Sequence, residues 1–295
     1  MEIAVQQILN ALSLGGTYAL LALGLAVVFS VLGMINFAHG ELMTIAGYTL
    51  FFSIAAGLPL WASIPAALAI AALAATLMER IAFRPLRGAS GTTLLLTSFA
   101  VSGVLQVLFQ ATISTRPRPV PVPDVLAGAM TVGPFHIGVI QMLSLATTLL
   151  MVVLLTLFLK HTTIGLAIRA AAIDFPMTRM MGVRANRVIA VAFAISGLLA
   201  GVSGLLWVAQ RGSVDPLMGF LPVLKAFIAA ILGGIGSLSG AVAGGFLLGF
   251  IEIALQAVLP DALLPFRDAV ALTAVIAVLL YRPEGLIRAV GSARP

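Results

Sequence analysis

The chain has 295 residues, of which 61% are hydrophobic and only 9% are charged, and its formal net charge is +6. Because a soluble domain carries about 25% charged residues, this chain could not cover a surface that faces water. The composition therefore excludes a soluble domain and predicts an all-α, polytopic integral membrane protein. A spanning helix needs about 20 apolar residues, so the length leaves room for about eight to ten spanning helices in one transmembrane domain, 1–295.

Cysteine is absent, which excludes disulfide bonds and metal sites built from thiolates. The positive net charge does not indicate nucleic-acid binding, because the basic residues are concentrated between predicted spans. The start, Met1-Glu2-Ile3, lacks the basic residues that open a signal peptide.

A polar segment interrupts the first apolar half of the chain. The predicted spans there cover 8–32, 42–56, 60–78 and 92–113, and residues 34–41 separate the first two. This segment contains Asn36, His39 and Glu41. Asn36 could satisfy free N–H groups at the start of a helix, and Glu41 would favour the positive end of that helix. The alternative is a broken helix that lines a translocation path, since such breaks must face protein or water.

Two other connections have distinctive compositions. The loop 79–91 contains three arginines. The segment 114–134 contains four alternating prolines, which predict an extended, polyproline-like conformation: Pro117, Pro119, Pro121 and Pro123. It could be a stiff connector or part of a contact surface for another protein. A fifth span, 137–159, follows it.

The segment 160–187 breaks the hydrophobic sequence and still has helical signals. Thr162 or Thr163 can accept a hydrogen bond from a free N–H and cap a short helix through Ala172. Asp174 can cap a second one, and Pro176 suits its first turn because a missing donor costs little there. These signals predict a compact helical hairpin outside the lipid.

The end of this hairpin is also marked. Gly182 tolerates the positive φ that ends a helix, and Asn186 could cap the long apolar helix that follows. The hairpin carries five basic residues and one acid, Asp174: Lys160, Arg169, Arg179, Arg184 and Arg187.

Four further spans complete the prediction, at 188–209, 221–232, 239–259 and 268–281. Lys225 and Glu252 are the charges least expected in them. A charge at mid-bilayer costs about 2.5–3.5 kcal/mol on insertion scales, so we expect the two to face inward and form an ion pair. The pair could be structural or could touch a translocation path. Lys225 could instead extend outward to water or pair with Asp215.

Glycines recur at four-residue spacing near these charges, at Gly236, Gly240 and Gly244 and at Gly245 and Gly249. They predict close contact between helices, because a glycine has no side chain to separate them. The alternative is a hinge, for which Gly233-Gly234 would supply a soft joint.

The distribution of basic residues predicts the orientation. Nine crossings put the loop 79–91, the hairpin 160–187 and the tail from Arg282 on one side, and these segments hold eleven of the sixteen Lys and Arg residues. By the positive-inside rule that side is cytoplasmic. The C-terminus is therefore predicted to be cytoplasmic.

No motif for catalysis or nucleotide binding is present. The sequence has no Gly-x-x-x-x-Gly-Lys-[Ser/Thr] and no His-Glu-x-x-His, and its histidines, His39, His136 and His161, lie far apart. We therefore expect no enzyme, no metal site and no cofactor in this chain. Any ATP and Mg²⁺ would be used by another subunit.

Four ordered motifs resemble the permease subunits of branched-chain amino acid ABC importers. They are Asn36-Phe-Ala-His-Gly-Glu-Leu-Met-Thr-Ile-Ala-Gly-Tyr48, Glu79-Arg-Ile-Ala-Phe-Arg-Pro85, Lys225-Ala-Phe-Ile-Ala-Ala-Ile-Leu-Gly-Gly-Ile-Gly-Ser237 and Arg282-Pro-Glu-Gly285. The resemblance covers nearly the whole chain. It implies a permease in the bacterial inner membrane that imports branched-chain or related hydrophobic amino acids. It also implies a second, related permease, two ATP-binding subunits and a periplasmic binding protein as partners.

The resemblance implies that the hairpin couples transport to the ATP-binding subunits, because Ala170-Ala171-Ala172 and Gly182 are similar to the coupling loop of such permeases. Arg169 stands where the family usually has a glutamate. The residues expected to carry coupling are Arg169, Asp174, Phe175, Met177, Arg179, Met180, Met181 and Gly182. An amphipathic helix from Phe175 to Met181 would offer its apolar face to a hydrophobic groove, with Arg179 at the rim. The alternative is that these residues rest on lipid headgroups.

Asn36, His39, Glu41, Lys225 and Glu252 are the candidates for the substrate path. One alternative function is an ABC permease for another small solute, such as an amide, urea or a sugar. Another is a self-sufficient secondary transporter or channel, which would transport alone in liposomes.

Overall fold

The computed structural model describes residues 2–121, 128–132, 135–282 and 285–287. Helices form most of this part of the chain. The α-helices are α1 (Glu2–Leu32), α2 (His39–Ala55), α3 (Leu60–Met78), α4 (Gly91–Thr112), α5 (Val139–His161), α6 (Thr163–Ile173), α7 (Phe175–Met180), α8 (Ala185–Arg211), α9 (Phe220–Gly233), α10 (Leu238–Val258) and α11 (Arg267–Tyr281). A π-helical turn (Glu79–Phe83) and a 3-10 turn (Arg84–Leu86) extend α3, and a second 3-10 turn (Asp261–Phe266) precedes α11.

The all-α membrane fold is confirmed. Seven helical segments of the described residues are long and apolar enough to cross a membrane: Val5–Leu32, Leu60–Leu86, Gly91–Thr112, Val139–His161, Ala185–Arg211, Leu238–Val258 and Asp261–Tyr281. The other two predicted spans are also helical but shorter. With 17 residues in α2 and 14 in α9, they extend about 26 and 21 Å at about 1.5 Å per residue, less than the roughly 30 Å of a hydrocarbon core. The full number of crossings stays a prediction.

Helix α1 is the centre of the bundle, with packing partners α10, α8, α9 and α5. Its contact with α10 uses small residues on both sides. A Cβ added to Gly245 would lie 2.8 Å from the Cβ of Ala19, and one added to Gly249 would meet the backbone of Gly15. The glycine spacing therefore did indicate close helix packing. Gly236 is an exception, because it lies in the turn before α10 with φ +86°.

Several helix boundaries differ from the sequence prediction. Helix α2 begins at His39, so the break after α1 covers only 33–38, and His39 and Glu41 are inside the helix. Helix α5 begins at Val139, because the two residues before it belong to a strand. The prediction that Asn186 caps α8 is wrong: this helix begins at Ala185, and no side chain caps it.

Short strands lie at the end of the bundle where α5 begins. Strand β1 (Arg118–Pro119) pairs with β4 (Ser213–Val214), and the Val120 N–H donates to the Gly212 carbonyl at 2.8 Å. Strands β2 (Ala129–Val132) and β3 (Phe135–Gly138) form an antiparallel hairpin. The predicted polyproline-like segment is therefore partly strand, because neighbouring backbone supplies hydrogen-bond partners. Pro123 and Pro134 lie outside the described residues.

The described end of the tail closes α9. The N–H groups of Leu286 and Ile287 donate to the carbonyls of Leu232 and Gly233 at 2.9 and 3.0 Å. The last carbonyls of a helix have no partner within the helix, so these bonds stabilise its end. Pro283 and Glu284 of the fourth motif lie outside the described residues.

Two of the three predicted basic segments share one end of the bundle. The loop after α3 and the start of α8 line one cavity together with the end of α1. The opposite end holds the start of α5, where the Gln141 side chain donates to Asn10 of α1 at 2.5 Å. These two basic segments therefore lie on one side of the bundle, as the sequence predicts, and the orientation in the membrane stays a prediction.

Candidate functional site

The break between α1 and α2 is held by side-chain hydrogen bonds inside the bundle. Gly33 ends α1 with φ +64°. Asn36 is buried, and its Oδ1 accepts from the Ala38 N–H at 3.1 Å. The Phe37 N–H donates to Ser98 Oγ at 3.2 Å. Asn36 therefore binds a backbone N–H just before α2, but no side chain caps the helix itself, so the predicted cap is not formed.

His39 connects α2 to α8 and α1. It is fully buried, and its Nδ1 lies 2.9 Å from Ser196 Oγ. Its ring packs against Gly24, where an added Cβ would lie 2.6 Å from Cε1. The imidazole thus fits here because Gly24 has no side chain, and the contact is one of close packing between α1 and α2.

Glu41 connects α2 to α4 through a buried polar contact. Its Oε1 accepts from Ser102 Oγ at 2.9 Å and from Gln106 Nε2 at 2.8 Å. Oε2 has no hydrogen-bond partner among the described residues. Sequence reasoning missed the partners on α4. Ser98, Ser102 and Gln106 repeat at four-residue spacing in an apolar helix, and this polar stripe was the available signal.

These three predicted path residues lie close together in the fold. None of the five main cavities in the described part of the chain is lined by Asn36, His39 or Glu41. In this conformation, the polar contacts hold α2 against α4 and α8.

A second group of polar residues lies between α1, α9, α10 and α11. The predicted pair is present: Lys225 Nζ lies 2.9 Å from Glu252 Oε1. Lys225 also lies 3.0 Å from Asp268 Oδ1, and Arg267 lies 3.8 Å from Glu252 Oε2. Tyr18 Oη donates to Glu252 Oε2 at 3.2 Å. Two acids and two bases make this cluster neutral overall.

The partners that sequence reasoning missed were Tyr18, Arg267 and Asp268. Arg267 and Asp268 are adjacent at the predicted start of the last span, which was the signal for a charged helix end. Nothing in the spacing of the sequence indicates that this end lies beside Lys225. The alternative pair of Lys225 with Asp215 is not formed. The five residues predicted for the substrate path thus lie in two separate clusters.

The hairpin of α6 and α7 is capped as predicted. Thr162 Oγ1 accepts from the Gly165 N–H at 2.9 Å, and Asp174 Oδ1 accepts from the Met177 N–H at 2.9 Å. Gly182 has φ +83°, which permits the turn toward α8. Arg169 is exposed. Side-chain caps thus define both short helices.

The exposed face of the hairpin is apolar and methionine-rich. Met180 is 82% exposed and Met181 78% exposed, and Met177 is exposed beside them. Leu166, Ile173, Met177 and Met181 line a groove of about 450 Å³ between α6 and α7. The expectation that Phe175 belongs to this face is wrong. Phe175 is partly buried and packs toward the bundle, whereas Arg179 is exposed and lines a cavity together with Phe175.

No group of three or more acidic or histidine side chains that could hold a metal ion occurs among the described residues. This finding covers the described residues only, so the absence of a resident metal in the whole chain stays a prediction.

Comparison with known proteins gives matches along nearly the full length. A family described as "Branched-chain amino acid transport system / permease component" matches residues 7–280. The high-affinity branched-chain amino acid transport system permease protein BraD of Pseudomonas aeruginosa is 36% identical, and the alignment covers 96% of this chain and 95% of BraD. LivH of Escherichia coli is also 36% identical, with coverage of 96% and 95%. The fructose import permease protein FruF of Bifidobacterium longum is 25% identical over 80% of this chain and 66% of FruF.

Proposed function

This chain belongs to the family of branched-chain amino acid transport permeases, and from this membership we propose that it is the membrane-spanning subunit of an ATP-driven importer. The proposed substrates are branched-chain or related hydrophobic amino acids. The observation that carries the proposal is the 36% identity over 96% of the chain to two permeases named for this transport. The fructose permease is the more distant relative, which favours amino acids over sugars.

The proposed assembly places this chain beside a second, related permease in the bacterial inner membrane. Two ATP-binding subunits would bind on the cytoplasmic side, and a periplasmic binding protein would deliver the amino acid. ATP and Mg²⁺ would be used by those subunits, since this sequence has no phosphate-binding loop. The hairpin and the C-terminus would face the cytoplasm, as the basic residues indicate.

The methionine-rich face of the hairpin is the proposed coupling surface. Met177, Met180 and Met181 are exposed beside an apolar groove, and methionine adapts its shape to an apolar partner. The capped ends of α6 and α7 support this role, because a capped helix can transmit a displacement without unwinding. Arg169, Asp174 and Gly182 would keep this surface in place. Phe175 would connect it to the bundle, and Arg179 would border the cavity that Phe175 also lines.

The substrate path is proposed to follow the contact between α2 and α4. Glu41 has one carboxylate oxygen without a partner in the described part of the chain, and a carboxylate complements the ammonium group of an amino acid. Asn36 and His39 would hold the start of α2 in place. Opening this path requires α4 to move, since the contact is closed here. Lys225 and Glu252 would border the path from the neighbouring cluster.

Uptake by cells that express the complete transporter tests this function. We expect deletion of this chain to abolish energy-dependent uptake of radiolabelled leucine, and re-expression of the chain to restore it. Excess isoleucine or valine should compete with leucine, whereas urea or fructose should not. Unchanged leucine uptake with loss of urea or sugar uptake would assign the permease to another solute. Uptake by the purified chain alone in liposomes would support a self-sufficient transporter instead.

A further inference from the structure

A large cavity opens at the end of the bundle that carries the hairpin. Its volume is about 1170 Å³. Residues from four places in the chain meet there: the end of α1, the turns after α3, the start of α4 and the segment from α7 to α8. Because the spanning segments Val5–Leu32 and Leu60–Leu86 end beside it, we expect the cavity at the level where helices leave the hydrocarbon core.

The charges around this cavity are strongly unbalanced. Arg87 is paired with Glu79, and it also donates to Asn186. The remaining charged residues of the lining are Arg179, Arg184 and Arg187. None of these three forms a salt bridge with a described residue. The cavity therefore carries three positive charges that the described part of the chain does not neutralise.

The backbone adds further donors at the same place. Helix α8 begins at Ala185 without a side-chain cap. The Asn186 side chain, which could have capped it, accepts from Arg87 instead. The first N–H groups of a helix favour an anion because they lack partners and lie at the positive end of the helix dipole. The start of α8 therefore adds to the positive potential of the three arginines. The arginines, and not the helix end alone, make this place a site.

The rest of the lining is apolar. It includes Val31 and Leu32 of α1, Phe83, Leu94, Val183 and Ile189. A free inorganic anion would gain nothing from these side chains. A ligand with a phosphate group and a hydrocarbon chain would use both parts of the lining, and guanidinium groups bind phosphate through paired hydrogen bonds.

We propose that this cavity binds the phosphate headgroup of an anionic membrane lipid, with Arg179, Arg184 and Arg187 as its ligands. Basic pockets between membrane helices on the cytoplasmic side favour such headgroups. Arg179 lies on the hairpin and Arg187 lies on α8, so the bound lipid would join the coupling surface to the core of the bundle.

The test uses the full chain, purified in mild detergent with any subunits that remain bound. It is mixed with equal amounts of dioleoyl phosphatidylglycerol and dioleoyl phosphatidylethanolamine, which have the same acyl chains. Native mass spectrometry then measures which lipid is retained. The variant is Arg179→Gln with Arg184→Gln and Arg187→Gln. Its matched control, Arg80→Gln with Arg84→Gln and Lys160→Gln, removes three exposed basic residues that do not line the cavity.

We expect the unmodified chain and the control to retain phosphatidylglycerol preferentially. The cavity variant should bind it on the order of 100-fold more weakly, because each basic residue near a charged membrane surface strengthens binding severalfold. Equal binding by the cavity variant and the control would overturn the proposal. So would the absence of a preference for phosphatidylglycerol in the unmodified chain.

A second variant distinguishes loss of the lipid site from misfolding. Ala89→Trp places a bulky side chain at an exposed turn that lines the cavity and keeps every charge. It should also lose the bound lipid, and retention of the lipid would count against this cavity as the site.

Thermal unfolding with inorganic phosphate identifies the source of the phosphate group. Stabilisation by inorganic phosphate without a preference for phosphatidylglycerol would overturn the lipid as ligand. Transport is not measured, so the outcome is independent of the substrate.

Discussion

Lys225 and Glu252 form an ion pair inside the bundle, with 2.9 Å between Nζ and Oε1, and Glu252 is only 1% exposed. Asp268 and Arg267 extend the pair into a neutral cluster. Apart from this cluster, α11 buries only Ala271 and Val275. The charges therefore link the start of the last helix to α9 and α10.

Removal of one charge from this cluster should destabilise the protein. Glu252→Gln leaves two bases beside one acid, and loss of a partner from a buried pair costs about 3–5 kcal/mol. We expect a lower folded yield and a lower midpoint of unfolding in detergent. The neutral double variant Lys225→Met with Glu252→Gln should recover part of the loss, since it leaves Arg267 and Asp268 paired. A double variant no more stable than Glu252→Gln would contradict the pairing.

Reversal of the pair should fail to recover stability, because of the two additional charges. In Lys225→Glu with Glu252→Lys, the new glutamate would face Asp268 and the new lysine would face Arg267. Like charges at such distances repel. The folded yield should therefore stay below that of the neutral double variant. Higher recovery by the reversed pair would show that Arg267 and Asp268 contribute little.

Replacement of Glu41 distinguishes a role in the path from a purely structural role. Glu41→Gln keeps the size of the side chain and removes the charge proposed to face the ammonium group. We expect KM for leucine uptake to rise while the yield of folded protein changes little. Gln106→Met serves as the comparison, since it removes one hydrogen bond to Glu41, worth about 1 kcal/mol, and leaves the carboxylate. Equal loss of yield in both variants, with unchanged KM, would assign Glu41 a structural role alone.

Charges on the exposed face of the hairpin should abolish coupling. Met180→Asp with Met181→Asp places two carboxylates where an apolar groove is expected to bind, yet both side chains are exposed. Insertion and folding should be preserved, whereas co-purification of the ATP-binding subunits and ATP-driven uptake should be lost. The control Lys160→Asp lowers the net charge by the same amount but removes no apolar surface. It should keep both the co-purification of the ATP-binding subunits and the uptake. Normal uptake by the methionine variant would reject the hairpin as the coupling element.

The orientation can be measured with single cysteines, because the chain has none of its own. Thr163→Cys lies on the hairpin and Arg116→Cys lies at the other end of the bundle, and both positions are exposed. In intact spheroplasts, an impermeant maleimide should label the cysteine at 116 and leave the one at 163 unmodified until lysis. The reverse pattern would overturn the predicted topology.

The local chemistry of the hairpin was predictable because a helix cap depends on neighbouring residues. Thr162, Asp174 and Gly182 act within three or four positions of the backbone that they stabilise. The same reasoning failed at Asn186. Its side chain is close to Arg87 in space but distant in sequence, and the interaction with that guanidinium replaces the cap.

The sequence by itself determined the membrane class, the helical character of all nine predicted spans and the asymmetry of charge, because these depend on composition and on periodicity along the chain. Only the tertiary structure decided which polar groups meet. It joined Glu41 to Ser102, added Asp268 and Arg267 to the pair of Lys225 and Glu252, and brought Phe175 and Arg179 to the lining of one cavity. The physical reason is that a buried charge needs a partner, and the partner is chosen by the packing of helices that are far apart in the sequence.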